Sequence, residues 1–330
     1  MKLCFRFLVL LLLSFGFFSC SNELDVLADY EETASVYALL DPNSSLQFVK
    51  INKVFVNPNS RAADIAKISD SLYFDTLNPE LIEMGSGNRI PLVRANIALK
   101  DSGTFANSPN YLYVTNVLLK STETYKIEFF LPNSKKLISA QTNMIQTPFL
   151  TQPVSPFIRA INISNSSTVP IQFQSRANSK IFDAFFTFNY IEIDKQDTNK
   201  KVTKSFEWKI LRSYRTLSDK GNEIVIQRTP GLLFYDLMLS KIPVDNAVFR
   251  RFTLCEIRLI SGNNELDTYI QATTPSIGIV QKQTEYTNIK NGIGVFASRN
   301  TLIYNDVQIS ENMKTLIVFN DLYKQLNFTK

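Results

Sequence analysis

The chain has 330 residues, 35 of them basic and 30 acidic, for a formal net charge of +5, and 45% are hydrophobic. Histidine is absent, so no Ser-His-Asp or Cys-His arrangement can be built, and zinc and copper sites lose their commonest ligand. Serine chemistry assisted by lysine, paired carboxylates and all-oxygen calcium sites survive that exclusion.

The first element is a signal segment. Lys2 and Arg6 precede an apolar run from Phe7 to Phe18, and Ser19 is the small residue before a cleavage point. A run this short does not cross roughly 30 Å of hydrocarbon as a helix. Phe17-Phe18-Ser19-Cys20 resembles a bacterial lipobox, with Phe17 where leucine is usual, and the FxSC form is similar to those of Bacteroidota. The resemblance implies a signal peptide over 1–19 and acylation of Cys20, whose chains would anchor the protein stably. Residues 20–35 form an anchor tail whose acidic start, Ser21-Asn22-Glu23-Leu24-Asp25, is similar to the tag that sends such lipoproteins to the cell exterior. With Cys4 removed and Cys20 lipidated, Cys255 has no partner for a disulfide and reads as a small apolar core group.

The rest is long enough for two domains, with the boundary in the proline-studded segment 147–156. Residues 20–150 carry 11 basic and 14 acidic side chains and residues 151–330 carry 22 and 16, or −3 against +6. The basic residues Lys195, Lys200, Lys201, Lys204, Lys209, Arg212 and Arg215 are spread through strands and turns, as on a solvated face; nucleic acid is not an expected partner.

Arg61 to Leu72 spaces Ile65, Ile68 and Leu72 as a short helix would. Tyr125, Ile127 and Phe129 alternate with Lys126 and Glu128, the pattern of a half-buried strand. Leu118 to Thr142 resembles the last hairpin of an immunoglobulin- or fibronectin-type sandwich. In the second part, Phe182, Ala184, Phe186, Phe188 and Tyr190 share one strand face, and Phe206, Trp208 and Ile210 repeat the pattern. Leu232 to Ile242 is framed by Pro230-Gly231 and Pro243 as a helix. Thr253 to Leu259, a turn at Gly262-Asn263-Asn264 and Thr268 to Thr273 suggest a hairpin. Glu311 to Leu326 suits a helix, although LIVF also suits a strand.

SVYALLDPNSSLQFVKINKVFV and the stretch Glu285 to Arg299 resemble a family of Bacteroidota outer-membrane lipoproteins of unknown function. The resemblance implies an outer-membrane address, with some such proteins accompanying TonB-dependent uptake receptors.

Three groups of residues are candidate sites. Asn288, Asn291, Gly292, Gly294, Ser298 and Arg299 mark the most distinctive stretch, either a loop that caps a sandwich with Phe296 buried and Arg299 pairing locally or a ligand-binding loop; it lacks the ending of a phosphate cradle. Glu192 and Asp194 share a strand face near the roughly 5.5 Å separation of retaining glycosidase pairs, but both run into the polar turn KQDTNKK, as at a solvated strand end. Asp64, Asp70 and Asp75 lack calcium-loop spacing, so no metal site and no cofactor is expected. Asp70-Ser71-Leu72 and Asp75-Thr76-Leu77 match the pattern at which Bacteroidota attach O-glycans, making Ser71 and Thr76 modification candidates.

The expected fold is mainly β, with two antiparallel domains. Residues 36–150 form an immunoglobulin- or fibronectin-like sandwich, and residues 151–330 form a β-rich domain with one or two helices. The expected function is non-enzymatic: a lipid-anchored accessory or binding protein facing the cell exterior, whose partner is an uptake receptor or a surface glycan. Two alternatives are an adhesion or surface-assembly subunit and a carboxylate-dependent hydrolase of surface glycans or peptides.

Overall fold

Alternating apolar and polar residues along short runs build most of the molecule. The computed structural model describes residues 31–54, 62–97, 106, 108–274 and 285–330; the signal segment and Cys20 lie outside them. The first part contributes β1 (Thr33–Leu40), β2 (Gln47–Val54), β3 (Glu80–Glu83), β4 (Arg89–Pro91), β5 (Val93–Asn96), β6 (Tyr111–Thr115), β7 (Thr124–Phe130) and β8 (Leu137–Asn143). The second contributes β9 (Phe149–Gln152), β10 (Ala160–Ile161), β11 (Thr168–Gln174), β12 (Ile181–Asp194), β13 (Lys201–Arg215), β14 (Ile224–Pro230), β15 (Val248–Phe252), β16 (Cys255–Gly262), β17 (Ile293–Ile309) and β18 (Phe328–Thr329). The helices are α1 (Ala62–Ile65), α2 (Ser69–Leu72), α3 (Leu232–Lys241), α4 (Asn264–Thr273) and α5 (Glu311–Phe319). The chain is mainly β.

Two buried clusters organise these elements. In the first, the antiparallel sheet β4-β3-β7-β8 and the strands β1, β2 and β6 bury their apolar faces together, Leu81, Tyr125, Ile127 and Phe129 meeting Val36, Ile51 and Tyr113. In the second, β12, β13 and β16 pack with β9-β11-β14 and with α3 and α5. The predicted faces hold: Phe182, Phe186 and Phe188 are fully buried, as are Cys255 and Leu259. Phe234 of α3 sits between them, its ring centroid 5.6 Å from Phe188 and 5.7 Å from Phe206.

One strand belongs to both clusters. β17 begins parallel to β1, with Tyr37 opposite Val295 and Leu40 opposite Ser298. It then runs antiparallel to β16, with Gly262 opposite Arg299 and Cys255 opposite Val307. Phe296 therefore lies in the first core and Val307 in the second.

Several sequence expectations are corrected. The helix over Arg61 to Leu72 is two single turns, α1 and α2, because Ile68 adopts an extended conformation (φ −96°, ψ 111°) between them. No hairpin follows Gly262: Asn263 is extended and its side chain accepts a hydrogen bond from the Leu266 amide, opening α4, with Glu265 and Asp267 in the first turn. An N-cap with acidic residues behind it favours a helix at that point, and it overrides the alternation of Thr268 to Thr273. The ambiguous C-terminal run is helical to Phe319, capped by Ser310 through the Met313 amide. The stretch after Asn288 is not a loop beyond Asn291, since Ile293 opens β17.

Candidate functional site

The distinctive late stretch lies where the two cores meet. Asn288 closes a two-pronged clasp on the Phe296 backbone, donating to its carbonyl (2.8 Å) and accepting from its amide (2.9 Å). Asn291, in the left-handed region at φ 60°, donates to the Leu137 carbonyl (2.9 Å). At Gly292 a Cβ would stand 2.8 Å from the Ala34 carbonyl oxygen. Gly294 is more constrained: φ is +114° and a Cβ would fall 2.1 Å from the Val36 carbonyl oxygen, so β17 approaches β1 only because that side chain is missing. Ser298, fully buried, donates to the Asn143 carbonyl (2.6 Å). Arg299 does not pair locally as expected but with Asp41 (3.4 Å), a contact made across most of the chain.

These contacts extend into a polar seam. Asp41 also accepts from the Thr301 hydroxyl (2.6 Å), and its backbone is clasped by the Gln47 amide group. Asn300, fully buried, donates to the Ile145 carbonyl (2.9 Å) and accepts from Asn43 (3.0 Å). Asn263 donates to the Thr142 hydroxyl (2.7 Å) while capping α4, and Asp267 in α4 holds Arg215 at 2.7 Å. Buried polar groups with this many partners fix one geometry. The candidate residues of the late stretch thus bind their own chain at the junction.

Glu192 has a different surrounding from the expected solvated strand end, whereas Asp194 is the partly exposed last residue of β12, beside the turn. Glu192 is buried, and its Oε1 accepts from Arg250 Nε (3.0 Å) and Nη2 (2.7 Å) while its other oxygen meets Lys204. Burial pushes its carboxyl up, and the bonds from Lys204 and Arg250 outweigh that and hold it below the usual carboxylate range. Arg250, fully buried, also donates to the carbonyls of Leu326 (2.6 Å) and Pro243 (2.9 Å). Asp194 accepts from the backbone amides of Gln196 (2.8 Å) and Asp197 (3.2 Å), which hold its carboxyl low. One carboxylate anchors a buried arginine and the other orders a turn. Burial pushes the Cys255 thiol up to about 11, leaving little thiolate for nucleophilic chemistry. Ser71 is half-buried in α2, and Thr76 is exposed.

A groove that sequence reasoning missed lies on the second part of the chain. Its volume is about 550 Å³, and Trp208 and Leu211 of β13, Leu233 and Leu237 of α3, Arg212 and Arg228 are among its walls. Two strand edges border it. Among the described residues, β13 is hydrogen-bonded as a strand only to β12 and β14 only to β11, and one direct bond links the two, from the Thr229 hydroxyl to the Ile210 carbonyl (2.8 Å). Residues 201–205 are all exposed. Of the nearby basic residues, Lys204 pairs with Glu192, Lys209 with Asp183 and Arg215 with Asp267, whereas Lys201, Arg212 and Arg228 have no acidic partner among the described residues. The available signal was the density of basic residues on this one strand, but a strand's own sequence does not say which of its edges is left without a neighbour.

No family model matches the sequence, and no curated protein does. Among solved structures, the chain is similar at 8% identity and a TM-score of 0.19 to a DUF4785 family protein from Legionella pneumophila. That match covers 65% of this chain and 47% of the other, so the chain spans about half the length of the protein it matches. At that level the likeness carries no inference about fold or function.

Proposed function

We propose that this protein is a non-enzymatic binding or accessory lipoprotein, held at the outer membrane of a Bacteroidota-type cell by acyl chains on Cys20 and facing the exterior. In this reading it is two β domains, 36–150 with an immunoglobulin- or fibronectin-like arrangement and 151–330 β-rich, and its partner is an uptake receptor of the TonB-dependent class or another surface component. The observation that carries a binding role is the groove beside β13 and β14, whose outer edges have no strand neighbour among the described residues and at whose walls Arg212 and Arg228 have no acidic partner among them. A hydrolytic role for Glu192 and Asp194 is less favoured, because both carboxylates already have structural partners. An assembly role through pairing of β13 with a second copy is opposed by the like charges such pairing would bring together.

The anchor is tested by growing cells with labelled palmitate and fractionating membranes. The native protein should carry label and sediment with the outer membrane, and Cys20→Ala should lose both; an unlabelled, soluble native protein would overturn the anchor. Glycosylation belongs to the same proposal. Thr76, exposed, is the better acceptor and Ser71, half-buried, the poorer, so intact-mass analysis of native protein should show hexose additions that Thr76→Ala removes.

A further inference from the structure

We infer that the free edge of β13 and the groove beside it receive an extended acidic segment of another protein, paired main chain to main chain with β13. This rests on the binding role proposed above and names the chemistry of the partner. A strand without a neighbour presents a row of unused amides and carbonyls, and adding a peptide strand to such an edge is a common mode of recognition, main-chain bonds supplying affinity and side-chain pockets supplying selectivity. Here the regular part of the edge is Lys201–Lys209 of β13 (Lys201–Arg215); the register shifts between Lys209 and Leu211 and again before Tyr214. Among the described residues one hydrogen bond reaches the strand from β14, from the Thr229 hydroxyl to the Ile210 carbonyl.

Charge selects the occupant. β13 carries Lys201, Lys204, Lys209, Arg212 and Arg215 against one acidic residue, Glu207. Glu207 is engaged by Arg258, and Lys204, Lys209 and Arg215 by Glu192, Asp183 and Asp267, which leaves Lys201 and Arg212 as the bases of the strand with no acidic partner among the described residues. A second copy of the same strand would set lysine and arginine against lysine and arginine, which is destabilising across a strand pair; lysines on an edge are a recognised guard against self-pairing. An acidic segment meets the opposite situation, since among the described residues Arg212 and Arg228 have no carboxylate partner. The walls add apolar surface from Leu233 and Leu237 of α3, whereas Trp208 and Leu211 are almost fully buried in the second core. A strand's side chains alternate between faces, so a segment alternating apolar and acidic residues places the first kind on those walls and the second within reach of the arginines.

The test titrates the full mature chain with a fluorescent peptide of about ten residues alternating glutamate and valine, long enough to cover the edge. Saturable binding that weakens with added salt is expected, together with slowed hydrogen exchange in residues 201–207. A version N-methylated at alternate residues, which cannot complete the ladder, should bind at least about tenfold more weakly, and so should the exposed double variant R212E/R228E, its fold checked by Trp208 fluorescence. A lysine-valine peptide should not bind. Absence of saturable binding, or equal binding by the double variant, would overturn the inference. Equal binding by the N-methylated peptide would also overturn it, because the site would then be an anion patch, as for a surface glycan. None of these outcomes bears on the labelling of Cys20, which tests the anchor separately.

Discussion

Arg250 shows what a single buried charge can organise. Its guanidinium is fully buried and ties β12, through Glu192, to the carbonyls of Pro243 and Leu326, which bracket β15 and precede β18. Removing one member of a buried pair leaves the other uncompensated, typically at 3–5 kcal/mol. Glu192→Gln should therefore lower unfolding free energy at pH 7 by about 3 kcal/mol, read by urea denaturation. The pH dependence follows from the sign of the shift. The folded carboxyl lies below its ordinary value near 4.5, so its contribution is fully present above that value and is lost as pH falls through the lower folded value. The difference between native protein and variant should shrink as pH falls below about 4.5; a difference that stays constant into acid would mean that the ion pair is not its source.

Among the elements, strands with one buried face were the most legible. The alternation of Phe182 to Tyr190 and of Tyr125 to Phe129 predicted which residues are buried, because the two-residue period is a property of the strand alone. The helix α3 was legible for a similar reason: proline and glycine frame it. The predicted hairpin after Cys255 failed because Asn263 caps a helix, and its cap is reinforced by a bond to Thr142 in a different part of the chain. Gly294 was singled out as distinctive, but its purpose depends on β1. With φ at +114° and a Cβ position 2.1 Å from the Val36 carbonyl oxygen, Gly294→Ala has to displace backbone and should cost at least about 2 kcal/mol. Gly87, at φ +73° with nothing within 4 Å of its Cβ position, supplies the comparison: Gly87→Ala carries conformational strain alone, about 1 kcal/mol. Thermal unfolding of the two variants side by side measures the difference, and equal losses would remove the steric explanation.

At the scale of the whole molecule, the two cores are joined by a shared strand and a polar seam rather than by a short linker alone. β17 contributes Phe296 to one core and Val307 to the other, and between them Ser298, Arg299 and Asn300 bond to Asn143, Asp41 and Ile145. Opening either core should expose buried polar groups of the seam, which are costly to leave unpaired. Unfolding should therefore be coupled. Urea curves from the single tryptophan, Trp208 in the second core, and from hydrogen exchange of β7 and β8 in the first should share one midpoint, and Asn300→Ala should separate them or lower both. Two midpoints in the native protein would show that the seam does not transmit stability.

By itself the sequence determined the mainly β class, the burial of most strand faces, the helix α3 and the exclusion of sites built on histidines of this chain. Each follows from residue type or from a period carried within one element. Of the three helices of the second part, where one or two were expected, α4 and α5 were settled only by the structure. Only the tertiary structure decided that Glu192 lies against a buried arginine, that Asn288 to Asn300 serve as a junction and that β13 keeps a free edge beside a groove. Those properties depend on which distant segment arrives next to a residue, or fails to arrive, and neither a local period nor a count of charges specifies that.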